Sequence, residues 1–195
     1  MLKKNLLIFI LSLVTLFVQS EMINEIVVTG DWRETSLSDA GASLALIRDE
    51  LIEKKQLKHF EDVTYLVPNL NFAASDSRPR YFQIRGIGER SGYEGTPNSS
   101  VGFLIDDIDF SGQGGIASTF DIEQIEIYRG PQGSRMGANA LAGMVYIKTK
   151  DPKDFFQLQG GLTFGDFGRK DIKALINIPF TENIQSRLTI NKEDF

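Results

Sequence analysis

The sequence has 195 residues, of which 42% are hydrophobic, and its formal net charge at pH 7 is −5. It contains no cysteine, which excludes disulfides, thiol catalysis and thiolate metal sites. The acidic balance argues against binding to nucleic acid and against adsorption to anionic lipid. The 18 glycines and 14 phenylalanines favour an architecture rich in strands and turns.

The N-terminal residues have the layout of a secretory signal peptide. Lys3 and Lys4 precede an apolar run over residues 6–18, and Ser20 offers a cleavage site. The alternative is a membrane anchor, but the run is shorter than the roughly 20 apolar residues that a spanning helix needs. We therefore expect residues 1–20 to be removed and the chain to be exported. No other segment approaches that length, so any membrane insertion has to use β-strands.

A short β-prone segment that ends in glycine follows the expected cleavage site. It consists of Glu25, Ile26, Val27, Val28, Thr29 and Gly30. An isolated strand of this length is unstable, so we expect it to be mobile until it pairs with the edge of a sheet. The polar residues 31–40 are typical of a tether, which favours a detachable strand. The alternative is the ordinary first strand of a domain.

Residues 38–152 have the pattern of an α+β module with short strands and small helices. The sequence predicts a helix over residues 50–54 with Asp49 as its N-cap, and a second helix over residues 60–66 that ends before Pro68. Alternation and turn residues predict strands at 43–47, 69–72, 81–86 and 122–128, and two strands around an acidic turn within 100–110.

The most informative stretch is residues 128–150, where a strand leads through a turn rich in glycine into an alternating strand. Glycines in this turn supply backbone freedom and close approach that a residue with a Cβ atom would resist. The turn is defined by Gly130, Pro131, Gly133, Gly137 and Gly143.

The period of the sequence changes after Pro152. Apolar and polar residues alternate over residues 156–164, 172–180 and 184–191, with tight turns between these runs. The pattern is typical of outer-membrane barrel strands, and the alternative is a half-buried soluble sheet with the same period. Lengths near ten residues favour the barrel. Because the smallest barrels need about eight strands, we interpret the chain as the N-terminal fragment of a longer protein or as an incomplete gene product.

Candidate catalytic and metal-binding residues are few. His59 is the only histidine and falls in a predicted surface turn, so neither a zinc site nor a serine triad can be assembled. Asp106, Asp107 and Asp109 lack the spacing of an EF-hand loop and indicate a solvated acidic turn. We therefore expect no enzyme activity, no cofactor and no bound metal.

Taken together, these motifs resemble those of TonB-dependent outer-membrane receptors. Residues 128–150 are similar to the end of the family's plug domain, residues 25–30 to its TonB box, and residues 84–86 to its Ile-Arg-Gly strand end. The resemblance implies a plug domain followed by a transmembrane β-barrel, in contact with lipid, in the outer membrane of a Gram-negative bacterium. It also implies uptake of an iron–siderophore complex or a similar scarce ligand, powered by TonB and its inner-membrane energising complex.

The resemblance further implies roles for individual residues. Residues 25–30 are expected to recruit TonB by strand addition. Arg78, Arg80 and Gln113 lie in loops expected to face the ligand, although the two arginines could instead pair with acidic barrel loops. Arg85 and Arg129 are expected to bridge the plug to glutamates on the barrel wall.

The expected domain order is a signal peptide (1–20), a TonB box with its linker (21–37), a plug domain (38–152) and the first strands of an incomplete β-barrel (153–195). A second hypothesis is a soluble, exported, periplasmic ligand-binding plug module without a barrel. The strands after Pro152 count against it, because unpaired amphipathic strands aggregate. The sequence leaves the ligand open among siderophores, cobalamin, haem, oligosaccharides and aromatic compounds.

Overall fold

The computed structural model describes residues 26–30, 33–74, 81–90 and 98–194. Short strands and small helices are followed by three longer strands. In chain order the elements are β1 (Val27–Val28), β2 (Thr35–Ser36), β3 (Ser43–Arg48), α1 (Asp49–Lys55), α2 (Phe60–Thr64), β4 (Leu70–Ala73), β5 (Tyr81–Ile84), β6 (Val101–Ile105), β7 (Ile108–Asp109), β8 (Ile122–Arg129), α3 (Gly133–Met136), β9 (Gly143–Thr149), β10 (Gln157–Phe164), β11 (Lys170–Thr181) and β12 (Ile184–Asp194). Among these residues, no helix has the length and apolar character needed to cross a membrane.

The centre of the fold is a five-stranded sheet with the order β3-β8-β9-β6-β7. β6 and β9 run parallel, and the other neighbours are antiparallel. β4 pairs with β5, and β1 pairs with β2, each as a separate two-stranded sheet. This arrangement confirms the predicted α+β class of short mixed strands and small helices.

One face of the central sheet carries the main hydrophobic core. Alternate residues of a strand point to opposite faces, and Ile125 and Ile127 of β8 are both fully buried in this core. Phe60 of α2 meets Phe82 and Phe103 edge to face, with ring centroids 5.0 and 4.9 Å apart. Such aromatic pairs add to the stabilisation from buried area. The small helix α2 is therefore fixed to the sheet by its first residue.

The structure corrects the predicted boundaries of both helices. α1 begins at Asp49 and has Arg48 as its N-cap, because β3 continues in extended conformation directly into the helix. Asp49 lies in the first turn and forms an ion pair with Lys150 at 2.8 Å. Burial opposes its charge, but hydrogen bonds from Lys150 and Glu50 outweigh that effect and lower the pKa of Asp49. α2 ends at Thr64, whose hydroxyl donates to the Glu61 carbonyl at 2.6 Å.

The predicted position of His59 in a surface turn is wrong. His59 is the N-cap residue of α2, and its largely buried side chain places Nε2 3.4 Å from Oε2 of Glu193 on β12. Asp62 fixes this turn, since its carboxylate accepts hydrogen bonds from the N–H groups of Lys58 and His59 at 2.8 and 3.2 Å. The error arises because the strand that covers His59 comes much later in the chain.

The predicted acidic hairpin is confirmed. Ile105 of β6 pairs with Ile108 of β7, and the two turn residues Asp106 and Asp107 have φ angles of 46° and 69°. Aspartate tolerates this left-handed conformation better than most residues. The Asp106 carboxylate also accepts hydrogen bonds from the N–H and hydroxyl of Thr149 at 2.9 and 2.7 Å, which ties the turn to the end of β9.

The antiparallel sheet β10-β11-β12 has two faces of opposite character. On one face large apolar side chains such as Leu158, Leu162 and Leu188 are exposed. On the other, Asp171 and Asn177 of β11 are buried. A half-buried soluble sheet would cover its apolar face, whereas outer-membrane strands turn that face outward.

Polar contacts join β11 and β12 to the preceding module. Lys58 forms an ion pair with Asp171 at 2.6 Å, and Arg187 donates to both oxygens of Asp121 at 2.7 and 2.6 Å. The side chain of Asn177 accepts from the N–H of Lys153 and donates to the carbonyls of residues 153 and 155, at 2.8, 2.8 and 2.6 Å. These ion pairs and hydrogen bonds therefore connect the sheet β10-β11-β12 to the residues that precede it.

Replacement of Phe60 by alanine should destabilise the module by roughly 3–5 kcal/mol, because it leaves a cavity between Phe82 and Phe103. Thermal unfolding of the purified protein measures this loss. Tyr65→Ala is the control, since Tyr65 is an exposed aromatic one residue beyond α2 and should cost less than about 1 kcal/mol. Equal losses in both variants would contradict the placement of Phe60 in the core.

Arg187→Met should cost roughly 3–5 kcal/mol, because it leaves the Asp121 carboxylate, whose side chain is 10% exposed, without its partner. The double variant Arg187→Met/Asp121→Asn should recover part of that loss. Glu50→Gln breaks the exposed Arg48–Glu50 pair and should cost no more than about 1 kcal/mol. A double-mutant cycle in thermal unfolding measures the coupling, and additive effects would contradict a direct ion pair.

Candidate functional site

Residues 26–30, here called the N-terminal segment, lie against the second face of the central sheet. The sequence predicts a mobile strand with nothing to pack against, and the structure differs. Val27–Val28 pair with Thr35–Ser36, so the polar stretch read as a tether folds back on the segment. The N–H of Leu37 donates to the Ile26 carbonyl at 2.8 Å, and Val28 is only 1% exposed. The segment is docked because its apolar residue and its backbone both find partners.

The docking site is centred on Glu126 in the middle of β8. Its side chain is 0% exposed, and an ionised carboxylate buried in this way needs hydrogen-bond donors. The N–H and hydroxyl of Thr29 donate to one oxygen at 2.8 and 3.0 Å, and the N–H of Gly30 donates to the other at 2.9 Å. Gln124 and Tyr128 each donate to the same carboxylate at 2.6 Å. The N-terminal segment thus supplies three of the five hydrogen bonds.

Gln124 extends the dock along the segment. Its Nε2 donates to the Val27 carbonyl at 3.0 Å as well as to Glu126. Gln124, Glu126 and Tyr128 are alternate residues of β8 and therefore share the face opposite Ile125 and Ile127. A single strand thus supports the apolar core on one side and a polar dock on the other.

Gly30 fits this dock because it has no side chain. A Cβ atom at this position would lie 2.8 Å from Cε2 of Tyr128 and 2.9 Å from Oε2 of Glu126. It would also lie 3.0 Å from Cβ of Tyr146. Gly41, in the stretch that follows, has no atom within 4 Å of its Cβ position. The requirement for glycine is therefore specific to the docked residue.

Tyr146 of β9 lies beneath the docked residue and links it to the acidic hairpin. Burial and the neighbouring Asp107 carboxylate raise the pKa of Tyr146 to about 12. Asp107 also forms an ion pair with Arg135, whose guanidinium carbon lies 6.0 Å from the centroid of the Tyr146 ring. The phenol is therefore neutral at physiological pH and contributes no charge beside Glu126.

A polar cavity of about 600 Å³ opens beside Thr29 and reaches β12. Burial alone would lower the pKa of Lys148 in its wall, but the carboxylates of Glu123 and Asp151 outweigh that effect and raise it. In the part of the chain that the structure describes, no group of three or more His, Cys, Asp or Glu could hold a metal ion. The charged side chains that line the cavity are Glu34, Asp106, Asp107, Asp121, Lys148, Lys150, Asp151 and Arg187.

The structure brings the two arginines predicted to contact a barrel wall to one corner of the sheet. Exposed Arg85 donates to the hydroxyl of Ser43 at 3.2 Å, and Ser43 is the strand partner of Arg129. Gly143, at the end of the glycine-rich turn, pairs with Arg129 from the other side. Within the described residues, no ion pair joins either arginine to a glutamate, so the expected bridge to a barrel wall stays a prediction.

Only some glycines of the turn over residues 130–143 are required by its geometry. Gly143 has a φ of +155°, and a Cβ atom there would lie 2.3 Å from the carbonyl oxygen of Tyr128. Gly130 and Gly137 also have positive φ. Gly133, the first residue of α3 after Pro131, has open space at its Cβ position. The turn therefore requires glycine most strictly at position 143, where β9 approaches β8 closely.

Of the loop residues predicted to face a ligand, Gln113 is exposed at the start of the 3₁₀ turn Gly114–Ile116. Arg78 and Arg80 lie outside the described residues, as does Glu25. Sequence reasoning missed Gln124, Glu126 and Tyr128. The available signal was their spacing, which places polar side chains at positions 124, 126 and 128 of a strand whose residues 125 and 127 are isoleucine.

Comparison with known proteins gives the family. The model of the TonB-dependent Receptor Plug Domain matches residues 36–144. The vitamin B12 transporter BtuB of Vibrio vulnificus (strain CMCP6) is 31% identical over 131 residues, which cover 64% of this chain and 20% of that protein. The ferric enterobactin receptor PirA of Pseudomonas aeruginosa is 25% identical over 142 residues, or 67% of this chain and 19% of the receptor. The chain spans about a fifth of the length of these curated relatives.

Solved structures share the fold. The ferripyoverdine receptor of the outer membrane of Pseudomonas aeruginosa superposes with a TM-score of 0.71 at 17% identity, over 86% of this chain and 22% of the receptor. The alcaligin outer-membrane receptor FauA of Bordetella pertussis gives a TM-score of 0.68 at 20% identity, over 86% of this chain and 29% of that receptor. The family model covers more than half of the sequence. The chain therefore belongs to the family of TonB-dependent receptors and contains their plug domain.

Proposed function

We propose that the chain is the N-terminal part of an outer-membrane receptor that takes up an iron–siderophore complex or a similar scarce ligand under the control of TonB. The observation that carries the proposal is the N-terminal segment, a short strand in front of the plug sheet that is held through its backbone. Such a strand can be exchanged for the edge strand of a partner. Similarity to a vitamin B12 transporter and to a ferric enterobactin receptor supports uptake of a large metal chelate.

The proposed mechanism is gated uptake by the domains expected from the sequence. After removal of residues 1–20, the plug (38–152) occludes a barrel that begins within residues 153–195. TonB adds a strand to the segment carried by residues 21–37, and force from the inner-membrane proton gradient then displaces part of the plug. The exposed apolar face of β10-β11-β12 supports contact with outer-membrane lipid.

The ligand-facing role of Arg78, Arg80 and Gln113 and the plug–barrel role of Arg85 and Arg129 belong to this proposal. Exposure of Gln113 and Arg85 supports it, since both side chains are accessible to a partner. We assign the chain no catalytic function, because the matched relatives are transporters and receptors. The alternative of a soluble plug module is disfavoured by the same exposed apolar face, which a soluble protein would cover.

A strain that lacks the gene, complemented with the full receptor gene, tests the proposal with ferric enterobactin, ferripyoverdine, ferric alcaligin and vitamin B12 as labelled probes. Uptake of one probe should require the gene and should be lost in Val27→Pro, because the Val27 backbone faces the edge away from β2 and proline there donates no N–H to an added strand. Binding of that probe to whole cells should persist. Ser38→Pro, in the exposed turn after β2, is the control and should retain uptake. Normal uptake by Val27→Pro would contradict a coupling role for the segment.

A further inference from the structure

We propose that Gln124, Glu126 and Tyr128 form a latch that keeps the N-terminal segment closed against strand addition. The inference rests on the proposed function, because strand addition by a partner is the event that the latch prevents. Glu126 is thereby a positioning residue for coupling. Its role is to set the fraction of molecules whose segment is available.

The first argument is that the latch occupies the edge that a partner strand would use. Neighbouring residues of a strand turn their backbone groups to opposite edges. The Ile26 carbonyl faces β2 and accepts from Leu37, so the groups of Val27 and Thr29 face the other edge. Those groups are the Val27 carbonyl, bonded to Gln124, and the Thr29 N–H, bonded to Glu126.

The side chains of the latch thus bond to the segment as the backbone groups of a neighbouring strand would. The amide Nε2 of Gln124 supplies the donor, and the carboxylate of Glu126 supplies the acceptor, at 3.0 and 2.8 Å. A partner strand would have to offer the same two groups to the same two atoms. Docking on the latch and pairing with a partner are therefore mutually exclusive.

The second argument is that the latch can open without leaving a bare buried charge. When the segment leaves, Glu126 loses its hydrogen bonds from Thr29 and Gly30. It keeps those from Gln124 and Tyr128, both at 2.6 Å and both from its own strand. An isolated buried carboxylate would resist opening much more strongly. The closed state is favoured, and the open state remains accessible.

The third argument is the shape of the dock, which admits glycine alone at its end. The Cβ position of Gly30 lies 2.9 Å from Oε2 of Glu126 and 2.8 Å from the Tyr128 ring. Substitution of Gly30 therefore opens the latch from the segment's side without any change in the plug. It provides a route to the open state that is independent of Glu126.

The absence of cysteine from the whole sequence permits a direct test. Val28→Cys introduces a single thiol at a position that is 1% exposed in the docked segment. In outer-membrane fragments that carry the full receptor, maleimide is used at a concentration low enough that reclosing outpaces labelling. The labelling rate then reports the open population. All variants are compared in this background.

Glu126→Gln keeps the size of the side chain but replaces one acceptor oxygen by an NH₂ group, which cannot accept the hydrogen bonds that Thr29 and Gly30 donate. It should raise the labelling rate about tenfold or more. Its control, Glu53→Gln, removes the same charge from an exposed residue of α1 and should leave the rate unchanged. Gly30→Ala should raise the rate as Glu126→Gln does. Its control, Gly41→Ala, meets no atom within 4 Å and should not.

Faster labelling in Glu126→Gln and Gly30→Ala, with unchanged controls, supports the latch. Unchanged labelling in both variants overturns it, and Gly30→Ala guards against a folding defect because Gly30 lies outside the plug sheet. The purified periplasmic domain of TonB provides a second readout, and its apparent affinity should rise by the factor seen in labelling. Faster labelling without any TonB binding would support the latch and overturn the proposed coupling, so the two fail separately.

Discussion

The placement of the N-terminal segment depends on one buried carboxylate. Glu126 lies in the middle of a sheet, where the backbone N–H groups of β8 are already used by β3 and β9. Its carboxylate oxygens instead accept hydrogen bonds from side chains of the same strand and from a segment laid across the sheet. Thr29 and Gly30, which lie 97 and 96 positions before Glu126 in the chain, supply those donors. Glu126, which lies between two isoleucines of β8, thus determines where the N-terminal segment lies.

Two classes of contact divide the molecule. The module closes its own core with apolar contacts such as the Phe60 cluster, whereas mainly ion pairs and hydrogen bonds, beside the buried side chain of Val28, join it to the N-terminal segment and to β11 and β12. A polar contact exchanged for water changes the free energy little, while an apolar core exposed to water loses much of its stability. The parts held mainly by polar contacts can therefore separate from a module that stays folded. That division is compatible with the proposed release of the N-terminal segment.

The elements encoded by local pattern were predictable, and those that depend on distant partners were not. Alternation and turn residues predicted the strands of the sheet, and the two aspartates at 106 and 107 predicted their hairpin. The helix start at Asp49 failed by one residue because nothing local marks the join of β3 to α1. The predicted exposure of His59 and the predicted mobility of the N-terminal segment were wrong for a different reason. The partners of these residues, Glu193 and Glu126, lie far along the chain, and no period in the sequence links such positions.

The same strand also restricts how the segment can be released. Residues 125 and 127 face the apolar core, and residues 124, 126 and 128 face the dock, so a slide of β8 by one position would drive a carboxylate into the core. Asp121, just before β8, is held by Arg187, and Arg129 at its end is paired with Ser43 and Gly143. These contacts hold β8 in register. In the proposed release, the segment therefore peels away from a stationary strand, which is the event that the reactivity of a thiol at position 28 would report.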